Sequence, residues 1–264
     1  MSDTTSGPVR VEHDGNVATV TLARPDHLNS LTQELVEQLR DSVTTLTADD
    51  SVRCIVLTGA GNAFCAGADL GLLDGSPADE PVIRQLASTL HESILRLHRA
   101  EKPVVVGVNG TAAGAGFGLA LTGDVVLASD AARFEYAYPR VGLTGDGGST
   151  FFLPRLVGLR RAKEIVLLDE PITPERAVEL GIATDVVAAD EFDERLAAVA
   201  SRLGNGPTEA LGRVKRLVAE GFDRRLEEQL AAETDAIAKS TRTEDYANGH
   251  AAFRADDDPE FVGR

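Results

Sequence analysis

Two glycine-rich turns, each placed directly after a run of β-branched and aliphatic residues, constrain this chain more than anything else in it. The first follows Val52-Arg53-Cys54-Ile55-Val56-Leu57-Thr58 and reads Gly59-Ala60-Gly61-Asn62-Ala63-Phe64-Cys65-Ala66-Gly67-Ala68-Asp69-Leu70. The second follows Pro103 to Val108 and reads Asn109-Gly110-Thr111-Ala112-Ala113-Gly114-Ala115-Gly116-Phe117-Gly118. A short apolar run ended by glycine is a buried strand, and the pattern predicts a helix at Val82–Arg99 after the first turn. Gly114–Leu121 predicts a short helix after the second, and Val125–Ala128 a further strand. Strand, glycine turn and helix thus recur, which points to stacked ββα units in an α/β fold instead of a Rossmann sheet.

The flanks fit around this core. Val9 to Leu22 alternates about His13-Asp14-Gly15-Asn16 and predicts a β-hairpin. Arg24-Pro25-Asp26 forces a turn, and Ser30-Leu31-Thr32-Gln33-Glu34 carries capping chemistry for a helix through Leu46, with Leu31, Leu35, Leu39 and Val43 on one face. A loop is expected at Leu72–Pro81. From Phe151 onward the chain reads as mostly helical, with Thr173-Pro174 opening one helix and periodic stretches at 192–203, 208–220 and 226–240. The expected organisation is a disordered tail at 1–8, a core at 9–200 and a helical C-terminal region at 201–264.

Charge limits the partners. With 26 Lys+Arg against 42 Asp+Glu, the net charge of −16 argues against nucleic acid, which needs a basic face, and against docking on anionic membranes. Only four of the cations are lysines, Lys102, Lys163, Lys215 and Lys239; a saline cytoplasm and a GC-rich genome explain that skew equally well. No apolar run reaches the roughly 20 residues of a membrane span. The polar start lacks a signal-peptide pattern, so a cytoplasmic protein is expected. Cys54 and Cys65 sit in apolar stretches and read as buried thiols. His13, His27, His91, His98 and His250 have no metal-ligand spacing, so no metal is implied.

Small residues in the two turns let a ligand approach the backbone and leave N–H groups free for negative charge. Neither turn ends in Gly-Lys-Ser/Thr, and neither has the dinucleotide spacing. Taken together and in order, Phe64-Cys65-Ala66-Gly67-Ala68-Asp69-Leu70, Lys102-Pro103-Val104-Val105-Val106-Gly107-Val108-Asn109-Gly110-Thr111-Ala112-Ala113-Gly114-Ala115-Gly116 and Gly123-Asp124 resemble the enoyl-CoA hydratase/isomerase (crotonase) superfamily. The likeness runs from Arg24-Pro25-Asp26-His27-Leu28-Asn29-Ser30-Leu31 to Phe261. It implies a crotonase-like ββα superhelix with a C-terminal helical trimerisation region, a homotrimer or dimer of trimers, and an acyl-CoA thioester as substrate with no separate cofactor.

The resemblance also implies roles. The backbone N–H groups of Ala68 and Ala115 would form an oxyanion hole for the thioester carbonyl, the second at a helix N-terminus. The two glutamates that hold water in hydratases fall at Gly118 and Tyr138, so both are missing. One carboxylate remains, Asp146 in Gly142-Leu143-Thr144-Gly145-Asp146-Gly147-Gly148-Ser149-Thr150, where branches resembling phenylacetate-pathway isomerases carry a catalytic aspartate. Capping of the following helix is the competing role. As a base, Asp146 needs a pKa raised by an apolar wall, for which Phe117, Tyr138 and Phe151 are candidates; Tyr136 or Tyr138 could donate to it. Asp69 is expected to orient its loop, Leu28 and Ala66 to face adenine, and Arg24 and Arg254 to meet CoA phosphates, with Asp256-Asp257-Asp258 standing where the family carries cations. The expected activity is a 3-enoyl-CoA to 2-enoyl-CoA shift. Enoyl-CoA hydration, hydrolysis or dehalogenation through Asp146, and a non-catalytic acyl-CoA-binding subunit are the alternatives.

Overall fold

The computed structural model describes residues 7–264. Strands β1 (Val9–Asp14) and β2 (Val17–Leu22) form the expected hairpin, with Val9 opposite Leu22 and Gly15 at φ +58° in the turn. Most of the expected 1–8 tail lies outside the described residues, but the Pro8 carbonyl accepts from Ala23 N–H at 2.8 Å. Helix α1 (Gln33–Ala48) starts later than Ser30: Thr32 is its cap, its hydroxyl accepting from Leu35 N–H. Leu31 therefore lies outside the helix, where it bridges to Ala68. Leu35, Leu39, Val43 and Leu46 are buried from the helix face.

The ββα reading is realised three times. Strand β3 (Cys54–Gly59) is followed by β4 (Ala63–Cys65) and helix α2 (Glu80–Arg99), which opens two residues before Val82, with Pro81 in its first turn. Strand β5 (Val104–Val108) is followed by β6 (Thr111–Ala113) and α3 (Ala115–Ala120). Strand β7 (Val125–Ser129) is followed by β8 (Arg133–Glu135) and, after a single 3₁₀ turn, by α4 (Ser149–Leu168). The chain continues through α5 (Pro174–Glu179), β9 (Asp185–Val187), α6 (Phe192–Gly204), α7 (Thr208–Glu220), α8 (Leu226–Ser240) and α9 (Glu244–Ala255). The division expected after residue 200 falls inside α6.

The main sheet runs β1-β2-β3-β5-β7-β9, parallel from β2 onward, and the second sheet runs β4-β6-β8, also parallel. Both faces of the main sheet are covered, which is why β3 and β5 read as continuous apolar runs. Ile55, Leu57, Val104, Val106 and Val108 face the large core, while Cys54, Val56, Val105 and Leu127 pack under Phe192 and Leu196 of α6. Lys215 locks α7 to this core, its ammonium 2.8 Å from the Asp124 carboxylate and 2.9 Å from the Leu97 carbonyl. The sheet geometry delivers both glycine turns to one end of the stack.

Candidate active site

The first turn leaves β4 and crosses the second at the head of α3. A Cβ on Gly67 would lie 2.9 Å from the Ala113 carbonyl and 3.4 Å from the Ala115 nitrogen, so the two turns touch. Ala115 is the first helical residue after Gly114 (φ +54°), a position whose N–H has no partner within its own helix. In the first turn, Leu31 donates to the Gly67 carbonyl at 2.7 Å and accepts from Asp69 N–H at 3.0 Å. Ala68, between them, has an N–H that meets no acceptor among the described residues. Ala68 and Ala115 line one cavity of about 420 Å³.

That cavity has aliphatic walls, including Leu31, Ile83, Leu86, Leu90 and Leu143, and Asp146 is its one carboxylate. The Asp146 side chain does not cap α4. Its backbone carbonyl takes that role, accepting from Ser149 N–H and from the Ser149 hydroxyl. The carboxylate instead meets His91 of α2, with Oδ1 2.5 Å from Nε2. Burial pushes the Asp146 carboxyl up, but the hydrogen bonds from His91 and from Gly147 N–H, with the nearby imidazolium charge, hold it below the usual carboxylate range. The same hydrogen bond and charge raise His91 against the opposing effect of burial. The raised pKa expected for Asp146 is thus corrected to a lowered one, because the hydrogen bonds from His91 and Gly147 outweigh burial.

The apolar wall is also different from the expected one. Phe117 is fully buried in the core against Phe134. Phe151 lines a separate cavity of about 700 Å³ with His98, Phe152 and Lys215. Only Tyr138 shares the Asp146 cavity; its ring is buried, and burial together with the Asp146 carboxylate pushes its phenol well above the usual range. Gly118 stands under the same loop: a Cβ there would sit 2.4 Å from the Gly147 carbonyl, so the Asp146 loop occupies any side chain's place. Cys65 is buried just before the first turn, its thiol pushed up to about 12 by burial.

The remaining residues are placed as follows. Arg24 is bound by Asp69 at 3.1 Å and by the Ser30 carbonyl at 2.6 Å. Asp69 thereby ties its loop to the Arg24 turn. The Leu28 carbonyl accepts from Ala66 N–H at 3.0 Å, so these two lie side by side, and Ala66 lines the cavity. Arg254 is exposed in the last turn of α9 and does not line the cavity. Among the described residues no group of three or more His, Cys, Asp and Glu side chains is gathered as a metal site.

Residues 12–264 match the family model described as enoyl-CoA hydratase/isomerase. The chain belongs to this family. Among curated enoyl-CoA hydratase/isomerase relatives, it is 37% identical over 250 residues to the 1,2-epoxyphenylacetyl-CoA isomerase of Escherichia coli K12, covering 94% of this chain and 95% of that one. It is 35% identical over 257 residues to the 4-chlorobenzoyl coenzyme A dehalogenase-2 of an Arthrobacter species, covering 97% and 93%. The solved enoyl-CoA hydratase of Bacillus anthracis superposes with a TM-score of 0.92 at 28% identity, covering 97% of this chain and 100% of that one. The crotonase-type fold and the family are therefore as expected from the motifs. For this hydratase/isomerase family member, His91 is the site residue that sequence reasoning missed. Its signal was a histidine four residues after Ala87 and three before Ile94, on the inward side of α2, whose partner lies 55 residues away.

Proposed function

We propose that the chain is an acyl-CoA isomerase that moves a C=C bond from the 3,4 to the 2,3 position of an enoyl thioester, using no cofactor beyond the CoA of its substrate. The observation that carries this reading is one carboxylate, Asp146, lining a cavity that is also lined by Ala68 and Ala115 of the two glycine turns. The Asp146 oxygen not bonded to His91 takes a proton from Cα. The electron pair moves onto the thioester oxygen, where Ala68 and Ala115 N–H groups stabilise the enolate. The same proton returns at Cγ, so the atoms balance and Asp146 ends ionised as it began. A carboxylate held low is always ready but weak as a base, which places the larger share of catalysis on the two N–H groups. Hydration by a carboxylate pair is disfavoured because no second carboxylate lines the cavity.

A second reading follows from the same His91–Asp146 pair. A carboxylate held low by its His91 hydrogen bond is also a nucleophile. Attack on the thioester carbonyl would expel CoA thiolate and give a mixed anhydride. Attack on a halogenated ring would expel halide and give an aryl ester, and water would then cleave either one. The dehalogenase name of one relative supports keeping it. Purified protein assayed with a 3-enoyl-CoA, a 2-enoyl-CoA and 4-chlorobenzoyl-CoA separates the readings. Isomerisation without hydration or halide release is expected. Halide release with oxygen-18 from solvent entering Asp146 in a single turnover would replace the isomerase reading, and turnover of none of the three would favour a binding subunit.

We further propose assembly as a homotrimer or dimer of trimers in the cytoplasm. Ile237 on α8 is 70% exposed and Phe253 on α9 is 85% exposed, apolar surface that a partner copy would cover. No helix among the described residues is long and apolar enough to cross a membrane. Light scattering on the purified protein tests the subunit number.

A further inference from the structure

We infer that Asn29 is a positioning residue that aims the Ala68 N–H at the substrate oxygen. Asn29 is fully buried at φ +55°, and Leu28 before it is at φ +49°. Two successive non-glycine residues in the left-handed region need something to hold them there. The Asn29 side chain does so from both ends. Its Oδ1 accepts from Arg24 N–H at 2.8 Å, and its Nδ2 donates to the Ala60 carbonyl at 2.9 Å and the Ala63 carbonyl at 2.7 Å. One amide therefore fastens the 24–31 turn to the start of the first glycine turn.

The held turn then acts as a template for residues 66–69. Ala66 N–H is taken by the Leu28 carbonyl and Asp69 N–H by the Leu31 carbonyl. The outer two of the four consecutive N–H groups are thus held by the 24–31 turn, and the parallel bridge of Leu31 to Ala68 leaves the Ala68 N–H on the side away from Leu31, toward the cavity it lines. Arg24 reinforces the arrangement by holding Asp69 at 3.1 Å. Asn29 itself does not line the cavity, so it acts through Ala68 and touches no reacting atom.

The inference rests on the reading of Ala68 and Ala115 as donors to a thioester oxygen, but not on which reaction follows. A β-keto thioester, acetoacetyl-CoA, reports on it directly, since its enolate absorbs in the near ultraviolet and an oxyanion hole stabilises that form. Asn29→Gly suits the test because glycine takes φ +55° without strain, so only the amide contacts are lost. The expected result is an enolate fraction of bound acetoacetyl-CoA lowered about tenfold or more, with hexanoyl-CoA affinity within about twofold of wild type. If the isomerase assay is active, kcat falls about 10²-fold with little change in KM, as for a donor displaced by about 1 Å. Arg24→Gln, which loosens the same turn through Asp69, should give a smaller fall and serves if the Asn29 variant does not fold. An enolate band that is strong in wild type and unchanged in the folded variants overturns the role of Asn29. A band absent from wild type overturns the oxyanion reading itself.

Discussion

His91 Nε2 and Asp146 Oδ1 lie 2.5 Å apart, joining the middle of α2 to the turn that precedes α4. This contact pulls the one carboxylate in the cavity below the usual carboxylate range against the opposing effect of burial. In His91→Ala the hydrogen bond and the cation are gone while the burial remains, so the Asp146 carboxyl rises. The acid limb of kcat/KM is therefore expected at higher pH in the variant than in wild type. Matched pH–rate profiles check this, and coincident acid limbs would show that His91 does not set the ionisation.

The pair also contributes a pH-dependent increment of stability. His91 is raised in the fold, so its share is fully present below about pH 6.5 and is lost as pH climbs through the folded pKa. Asp146 is lowered, so its share is present above about pH 3.9 and is lost as pH falls through the folded pKa. Between about pH 4 and 6.5 both are in place. Thermal melts of wild type and His91→Gln should differ most inside that window and converge outside it.

Asp146→Asn keeps the shape of the side chain and removes the base. Isomerisation should fall by about 10² to 10⁴-fold, while acyl-CoA affinity and oligomer mass stay near wild type. Calorimetric titration with an unreactive acyl-CoA separates lost chemistry from lost binding. Wild-type turnover by this variant would remove Asp146 from the mechanism.

Gly118→Ala tests the packing beneath the loop. The new methyl would stand 2.4 Å from the Gly147 carbonyl, which is backbone and cannot swing aside. Displacing the loop moves Asp146, so kcat should drop about 10²-fold and stability by about 1–3 kcal/mol. Steady-state kinetics and urea titration report the two effects separately. Unaltered kinetics would mean that the loop accommodates the methyl without moving Asp146.

Salt dependence tests how a chain of net charge −16 holds a polyanionic thioester. Arg24, expected at the phosphates, is engaged by Asp69. Raising KCl from about 0.1 to 1 M shortens the Debye length from about 10 to about 3 Å and screens the general repulsion. CoA-ester affinity should hold or rise over that range. A steep fall would reveal a cationic phosphate site that dominates binding.

Features set by neighbouring residues were legible before any coordinates. The 9–22 hairpin, the buried face of α1 and the double-faced burial of β5 follow from alternation, helical spacing and an unbroken apolar run. The three-residue strands β4 and β6 lie inside the stretches that read as glycine turns, and β8 in a stretch with no pattern, because three residues are too few to show a periodicity. Strand β9 and helix α9 escaped for similar reasons. The α9 stretch shows a weak apolar face and keeps its place through Asp245, which accepts from Val262 N–H at 2.6 Å near the chain end.

The sequence by itself determined the repeating ββα plan and the two glycine turns, while the roles of Ala68, Ala115 and Asp146 came to it only through the family resemblance. The plan and the turns depend on local dihedral freedom and apolar patterning, which residue order carries directly. Tertiary structure alone decided that His91 stands behind Asp146 and lowers its pKa, and that Phe117 and Phe151 face elsewhere. It also decided that Arg24 is spent on Asp69. Each of these is a meeting of side chains far apart in the chain, 55 residues for His91 and Asp146 and 45 for Arg24 and Asp69. Charge and hydrogen bonding act over a few ångströms of space, and only the packed sheets set which distant residues share them.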